Sequence, residues 1–551
     1  MLSKEESSKR KKKIVLIIGI IVFVIVLITI ILILTLLTKK DKTDTGSYKP
    51  STIETFKLPN DIIYKDGGIF SKSGKILLAY NKENDNCTYI AVVNEDGSNF
   101  KVLWNDTWKP IYQSNGIRLM PFDDNKRILT GDFILECSPN IDECQSSKLI
   151  PVIYPKEVIN LNGVYFLWSE IIISPDNEHI GWTTLSSVYD DVNFIARLNR
   201  NEENYTMTNV QIISTLGLLE FEDKNNRILK GVIIKGGEIK QFVNGGEAIT
   251  LAGAGKSGLA KSIFQDLMSD NIYAITQFPG YEETTIISPD GKLGLTMTTR
   301  FSPKTSSEIL GYMPRPFSSY TICQMNRYTY LYGVGKVRES RKGNIGPAVI
   351  NIEESLKNPD YLGYDLHSED EDWVYLSPMS WHPNSKKAMF SEVSKSGKKR
   401  IRIVNFNEYN PSKIIEKKTT PDNIKYAKTL DSLKEPLDTE TYGYFKGKEG
   451  NILFNKTSTQ YRTEYNNYTE DGEIFYNGYE QFNYIGNPNP QITGKLISNV
   501  TMTGKKEGKM DLMITMNMNG DIVYEDQGQK VTYGYVKYNG KELTIENSYD
   551  K

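Results

Sequence analysis

Three acidic clusters, each with an aromatic residue beside it, stand far apart along the chain. They are Glu170 near Trp168 in "LWSE", Glu282 and Glu283 beside Tyr281 in "GYEET", and Asp370, Glu371 and Asp372 beside Trp373 in "EDEDWVY". Paired carboxyl groups are the equipment of glycoside cleavage: one stays protonated as the acid, the other is ionised as base or nucleophile. An aromatic face beside them holds a sugar ring. Glu170 and Glu283 are the candidate catalytic pair, with Asp372 in reserve, and Trp168, Tyr281 and Trp373 are candidate substrate contacts. Arg300 follows "TMTT" inside a strand, where an unpaired charge is costly to bury, and its fork suits a uronate carboxylate. Arg315 in "MPRPF" and Arg338 are further candidates. Each of these groups also has a plainer reading, as a solvated loop charge or a partner for a nearby residue of opposite sign.

Bringing such distant acids together requires an architecture that returns to one axis, and the chain carries a repeat that supplies it. "TTIISPDGKLGLTMTT" (284–299), "EIIISPDNEHIGWTTL" (170–185) and "PMSWHPNSKKAMFSEV" (378–393) align on Pro289, Pro175 and Pro383. Weaker copies start near 70, 121 and 243. Proline fixes φ in the turn, Asp or Asn caps it, and Gly291 supplies a positive φ. The strands that follow alternate, with Leu293, Leu295 and Met297 on one face and Gly294, Thr296 and Thr298 on the other. Between the hairpins lies more strand material, as in "YIAVVNEDGSNFKVLW" (89–104). Units of about 45–70 residues holding four short strands are propeller blades, which bury their faces only by stacking round an axis. Six or seven blades are expected between roughly 55 and 415, and "YTYLYGVGKV" (328–337) is a place for a further unit. The strand before each turn is the innermost, which sets Glu170, Glu283 and Asp372 around one mouth.

The "ISPDG-K" turn before an apolar strand resembles the repeat of TolB-type, WD-like β-propellers, over most of residues 60–410. A narrower resemblance runs through "GYEETTIISPDGKLGLTMTTRFSP" (280–303), "RKGNIGPAVINI" (341–352), "EDWVYLSPMSWHPNSKKAMF" (371–390) and "ECSPNIDEC" (136–144), which are similar to segments of the saponin hydrolases. It implies cleavage of a glucuronide-type sugar from triterpene glycosides, and carries over no catalytic residue. An N-terminal anchor departs from a freely secreted hydrolase.

That anchor is Ile14 to Leu37, 24 residues without a charge, against the roughly 20 that cross a bilayer core. Lys4, Lys9, Arg10, Lys11, Lys12 and Lys13 precede it, whereas Lys39, Lys40 and Lys42 follow diluted by Asp41 and Asp44. The N-terminus is therefore expected in the cytoplasm and the bulk of the chain outside. No A-x-A cleavage pattern ends the run. Cys137 and Cys144 bracket "SPNIDE" and are a disulfide candidate in that compartment, and Cys87 and Cys323 leave the connectivity open. With three histidines and no C-x-x-C, no metal site and no cofactor are expected. A net charge of −2 argues against nucleic acid as a partner. "LAGAGKSGLA" (251–260) has Thr250 where a phosphate loop needs its first glycine.

The boundaries that follow are a basic tail (1–13), the membrane anchor (14–37), a juxtamembrane linker (38–54), the propeller (55–415), a connector (416–441) and a C-terminal domain (442–551). This last region holds thirteen of the 34 tyrosines and four Asp-Gly or Asn-Gly turns, and reads as an antiparallel β-sandwich or barrel. Its tyrosines could stack on sugars, though half-buried strand tyrosines are the commoner case. The expected molecule is an all-β ectodomain on one N-terminal transmembrane helix, acting on glycosides as a hydrolase. The alternative is a non-catalytic propeller that binds a glycan, or an envelope or surface protein.

Overall fold

The computed structural model describes residues 46–551 apart from Asn60, 113–116, 160–162, 187–190, 216–220, 231–236, 255–258, 302–306, 317–344, Glu371, 434–440, 485–493, 518–521 and 549–551, and describes 163–170, Leu185, Ser186, Ala254, Thr441 and Tyr484 by backbone only. The expected anchor, Ile14 to Leu37, lies outside these residues. Among the described residues no helix is long and apolar enough to cross a membrane.

Six four-stranded antiparallel meanders make up the first part of the chain. Their first strands are Ile62–Phe70, Leu119–Pro121, Gly163–Ile173, Glu238–Val243, Glu282–Ile287 and Trp373–Trp381. Each lies against the next, and the sixth lies against the first, so the ring closes. The chain forms a six-bladed β-propeller. Blade 6 takes its outer strand from the start of the described chain: Thr52–Thr55 pairs with Lys399–Asn405, which ties the two ends of the ring together. The outer strands of blades 2 and 3 also join, through parallel pairs Tyr205↔Val152 and Thr206↔Ile153.

The six sequence copies are the six inner hairpins. Their turns close by the same bonds, for example Ser174 N to His179 O, Ser288 N to Leu293 O and His382 N to Lys387 O, each at 2.9 Å. The fourth turn residue takes a positive φ at Asn177, Gly291 and Ser385. Leu293, Leu295 and Met297 enter one core cluster with Tyr281, Trp381 and Phe390, as the alternation requires. No seventh blade is needed: Leu293–Thr298 pairs directly with Gly346–Asn351, so 299–345 is an insertion within blade 5. The segment 328–337, read as room for another unit, lies inside that insertion and outside the described residues.

The C-terminal domain is one sheet, not a sandwich. Eight strands from Thr441–Lys446 to Lys541–Thr544 pair in order, and the hairpin Phe221–Asp223 and Ile228–Leu229 extends them to ten. One face of this sheet gathers into a single core around Ile309, Leu310 and Met313 of the blade 5 insertion, with Leu229 and Leu259. Those propeller residues lie on connections opposite the Pro-Asp turns, so the C-terminal sheet stands at the mouth end of the ring.

Candidate functional site

The first strands of all six blades line a central cavity of about 510 Å³. They are locked to one another across the blades. Ile239 N donates to Thr183 Oγ1 at 2.9 Å, Gln241 exchanges two bonds with Ile287, Trp381 Nε1 donates to Ile286 O at 2.7 Å, and Phe70 N donates to Ser380 Oγ at 3.1 Å. Such bonds fix the strands that carry the polar groups of the wall.

Glu283 faces this cavity and Glu282 does not, because successive strand residues point to opposite sides. Glu283 Oε1 lies 3.7 Å from Lys240 Nζ, and its Oε2 accepts from the Tyr281 hydroxyl at 3.1 Å. Lys240, only 4% exposed, also binds Glu238 Oε2 at 2.6 Å. One buried ammonium thus holds carboxylates from blades 4 and 5. Across the cavity Arg118 Nη1 donates to Ser377 Oγ at 3.1 Å. Phe70, Met120, Ile171, Met297 and Trp381 supply apolar wall between these groups.

At the turn end residues 409–428, which the sequence presented partly as a connector, cross the blades, and Ile414, Ile415 and Lys417 line the cavity. The whole segment forms a strap. Ser412 N donates to Asp290 Oδ2 at 3.0 Å, Ile415 N to Pro289 O at 3.0 Å, Lys418 N to Gly245 O at 2.9 Å and Thr420 N to Asp176 Oδ2 at 2.9 Å. Lys417 reaches over to Asp123 of blade 2, which also binds Lys72 of blade 1 at 2.6 Å. Burial alone would push the Asp123 carboxyl up, but Lys72 and Lys417 outweigh it and hold it below the usual range. His179 lies between two carboxylates, Nδ1 at 2.7 Å from Asp176 and Nε2 at 3.0 Å from Asp422 of the strap. Burial works against its charged form, yet the two acids raise its pKa, and Asp176 is lowered to about 2 by His179 and by backbone N–H donors despite burial.

The other sequence candidates are dispersed. Glu170 and Trp168 belong to the innermost strand of blade 3, and their side chains are outside the described residues. Asp372 is exposed at the mouth, its amide bonded to Asp370, and Trp373 carries the Arg400 guanidinium 4.0 Å above its ring. Arg300 does not face the cavity. Its Nε donates to Glu282 Oε1 at 2.6 Å and its Nη1 to Tyr361 O at 2.7 Å, so the strand charge is satisfied behind blade 5. Lys261 joins that buried group 3.7 Å from Glu282, and burial lowers its pKa to about 8 against the pull of the acid. Arg315 is in the core of the C-terminal sheet, bonded at 2.6 Å to Glu480. Arg338 is outside the described residues. Cys137 and Cys144 are buried free thiols rather than a disulfide; burial and the neighbouring Cys144 push the Cys137 thiol up.

Sequence reasoning missed Glu238, Lys240 and Arg118. The rule that selected Glu170 and Glu283, a few places upstream of the turn, selects them too when applied to the weaker copies at 243 and 121.

No family model matches the sequence, and no curated protein does. Similar solved structures include TolB of Acinetobacter baumannii, at 12% identity and TM-score 0.27, covering 65% of this chain and 66% of that one. An oligogalacturonate lyase of Vibrio parahaemolyticus, at 12% identity and TM-score 0.34, covers 66% of this chain and is itself covered completely, at 100%. Prolyl oligopeptidase B of Galerina marginata, at 10% identity and TM-score 0.29, covers 74% of this chain, which spans 46% of its length. The assignment of the fold rests on strand order and on the closed ring.

No metal-binding group of His, Cys, Asp and Glu occurs among the described residues. The chemistry on offer in the cavity is that of fixed donors and acceptors. Lys240 stands beside Glu283 at ion-pair distance, 3.7 Å.

Proposed function

We propose that this protein is a membrane-anchored, extracytoplasmic propeller that binds a polyhydroxylated ligand, a glycan or glycoside, in its central cavity. One observation carries the reading: Glu238, Lys240 and Glu283 set two carboxylates and one ammonium side by side, as acceptors and donors, in the wall of a cavity of about 510 Å³. A volume of that order suits a small saccharide, whose hydroxyls donate to carboxylates and accept from Lys240 and Arg118. Anchoring follows from the apolar run Ile14 to Leu37 and its basic flank.

A second reading, glycoside hydrolysis of the saponin hydrolase type, is favoured by the placing of Glu170 and Glu283 on innermost strands of blades 3 and 5. The resemblance to saponin hydrolases is carried by sequence segments alone. The test is titration of the detergent-solubilised full chain with a glucuronide saponin and with neutral and acidic oligosaccharides, together with a turnover assay, for wild type and Glu283→Gln. Binding that weakens in the variant without turnover supports the binding reading. Turnover abolished by the variant supports the hydrolase. Failure to bind any saccharide, with capture of an envelope protein instead, overturns both.

A further inference from the structure

The described chain begins on the turn end of the propeller. Gly46 bridges to Tyr409, Ser51 N donates to Asn405 O at 2.8 Å, and the Tyr48 hydroxyl bonds that of Tyr361. Gly46 is thereby pinned beside the start of the strap. Leu37, the last residue of the apolar run, precedes it by nine positions, and nine residues reach about 30 Å at most when fully extended. The turn end is therefore held close to whatever layer the apolar run occupies. The mouth is farther off by the length of an inner strand, roughly 30 Å for nine residues.

The surface at this end has a distinct grading of charge. Lys417 and Lys72 have 60% and 42% exposed side chains over Asp123 at 9%, and Lys418 at 46% stands over Glu247 at 25%. In these pairs the ammonium groups are the more exposed partners, whereas Asp422 of the strap and Glu178, 52% and 53% exposed, stand out beyond Arg197 at 34%. Lys413 is 81% exposed beside an equally open Glu416 at 75%, and Ile414 and Ile415 between them are 43% and 37% exposed. Lys49 and Lys292 are exposed on the same face.

We propose that the strap face lies against the membrane in which the N-terminal segment is anchored, its lysines meeting lipid phosphates, while the mouth and the C-terminal sheet point away from the bilayer. This rests on the anchoring reading above. The test reconstitutes the full chain in phosphatidylcholine vesicles with about 30 mol% phosphatidylglycerol and a phospholipid photoprobe reactive at its headgroup, with cross-links mapped by mass spectrometry. Cross-links are expected in 411–419 and around Lys72 and Lys292, and none in 525–546. Lys417→Gln with Lys418→Gln should lower the yield in 411–419 about three-fold or more. Cross-links on the C-terminal sheet, or none in 411–419 from a chain that resists alkaline carbonate, would overturn the orientation while leaving the anchor intact. Release of the chain by carbonate would overturn the anchor and the orientation with it.

Discussion

The propeller cavity and the buried face of the C-terminal sheet are lined alike, by side chains of neighbouring strands, yet the chain covers the second with a segment of its own. The blade 5 insertion packs on the C-terminal sheet, and Arg315, 3% exposed, meets Glu480, 1% exposed. Glu480 is completed by Tyr465 at 2.7 Å and Ser498 at 3.2 Å, and Arg315 by the carbonyls of Leu310 and Met313. Both charges of this pair are thus satisfied by the chain itself. In the propeller cavity Lys240 holds Glu238 and Glu283 in a wall that borders a cavity of about 510 Å³. Buried charge alone is thus a poor guide to a site; what distinguishes the cavity is fixed polar atoms next to open volume.

The sharpest way to break this contrast is Arg315→Ala. It strands a buried carboxylate, so chemical unfolding of the C-terminal sheet should fall by about 3–5 kcal/mol, and Arg315→Met with Glu480→Met should recover most of the loss. A silent Arg315→Ala would mean that this ion pair does not hold the insertion on the sheet. Lys240→Met is the counterpart in the cavity. Its two carboxylates are partly hydrated, so the stability loss should be smaller, about 1–3 kcal/mol, while ligand affinity falls at least about ten-fold. An effect on stability without one on affinity would place Lys240 with the structural pairs.

The strap gives the smallest expected effect. His179 has a raised pKa when folded, so its contribution is complete below the ordinary 6.5 and is lost as pH rises through the folded value. Asp176 is depressed from 3.8 to about 2, so its contribution is complete above 3.8 and lost as pH falls towards 2. Hydrogen-exchange protection of 409–428 should therefore be greatest between about pH 4 and 6. His179→Gln should remove the alkaline limb and about 1 kcal/mol of protection. A limb that persists in the variant would assign it to another group.

How much of this was legible in the sequence divides along the same line. The hairpins were, because Pro175, Pro289 and Pro383 and the positive-φ positions after them are local requirements of a tight turn. The blade count was blurred by an insertion inside blade 5 that mimics the spacing of a further unit. Glu283 was placed on the cavity by strand position, but Glu282 had to be told from it by side of the strand, and Arg300 was then bound to Glu282 rather than to the cavity. Arg315 could not be read at all, since its partner is 165 residues away and nothing local to "MPRPF" announces Glu480. The single sheet was expected as a sandwich or barrel because an alternating strand looks the same whether its apolar face meets a second sheet or a segment of another domain.

Direct calorimetric titration of the full chain with a saccharide that binds it, repeated with Glu283→Gln and Lys240→Met, addresses the central claim. The account predicts one binding site, weakened about ten-fold or more by either change while Arg315→Met with Glu480→Met leaves it unaltered. Undiminished affinity in both cavity variants, or loss only in the C-terminal double variant, would contradict it.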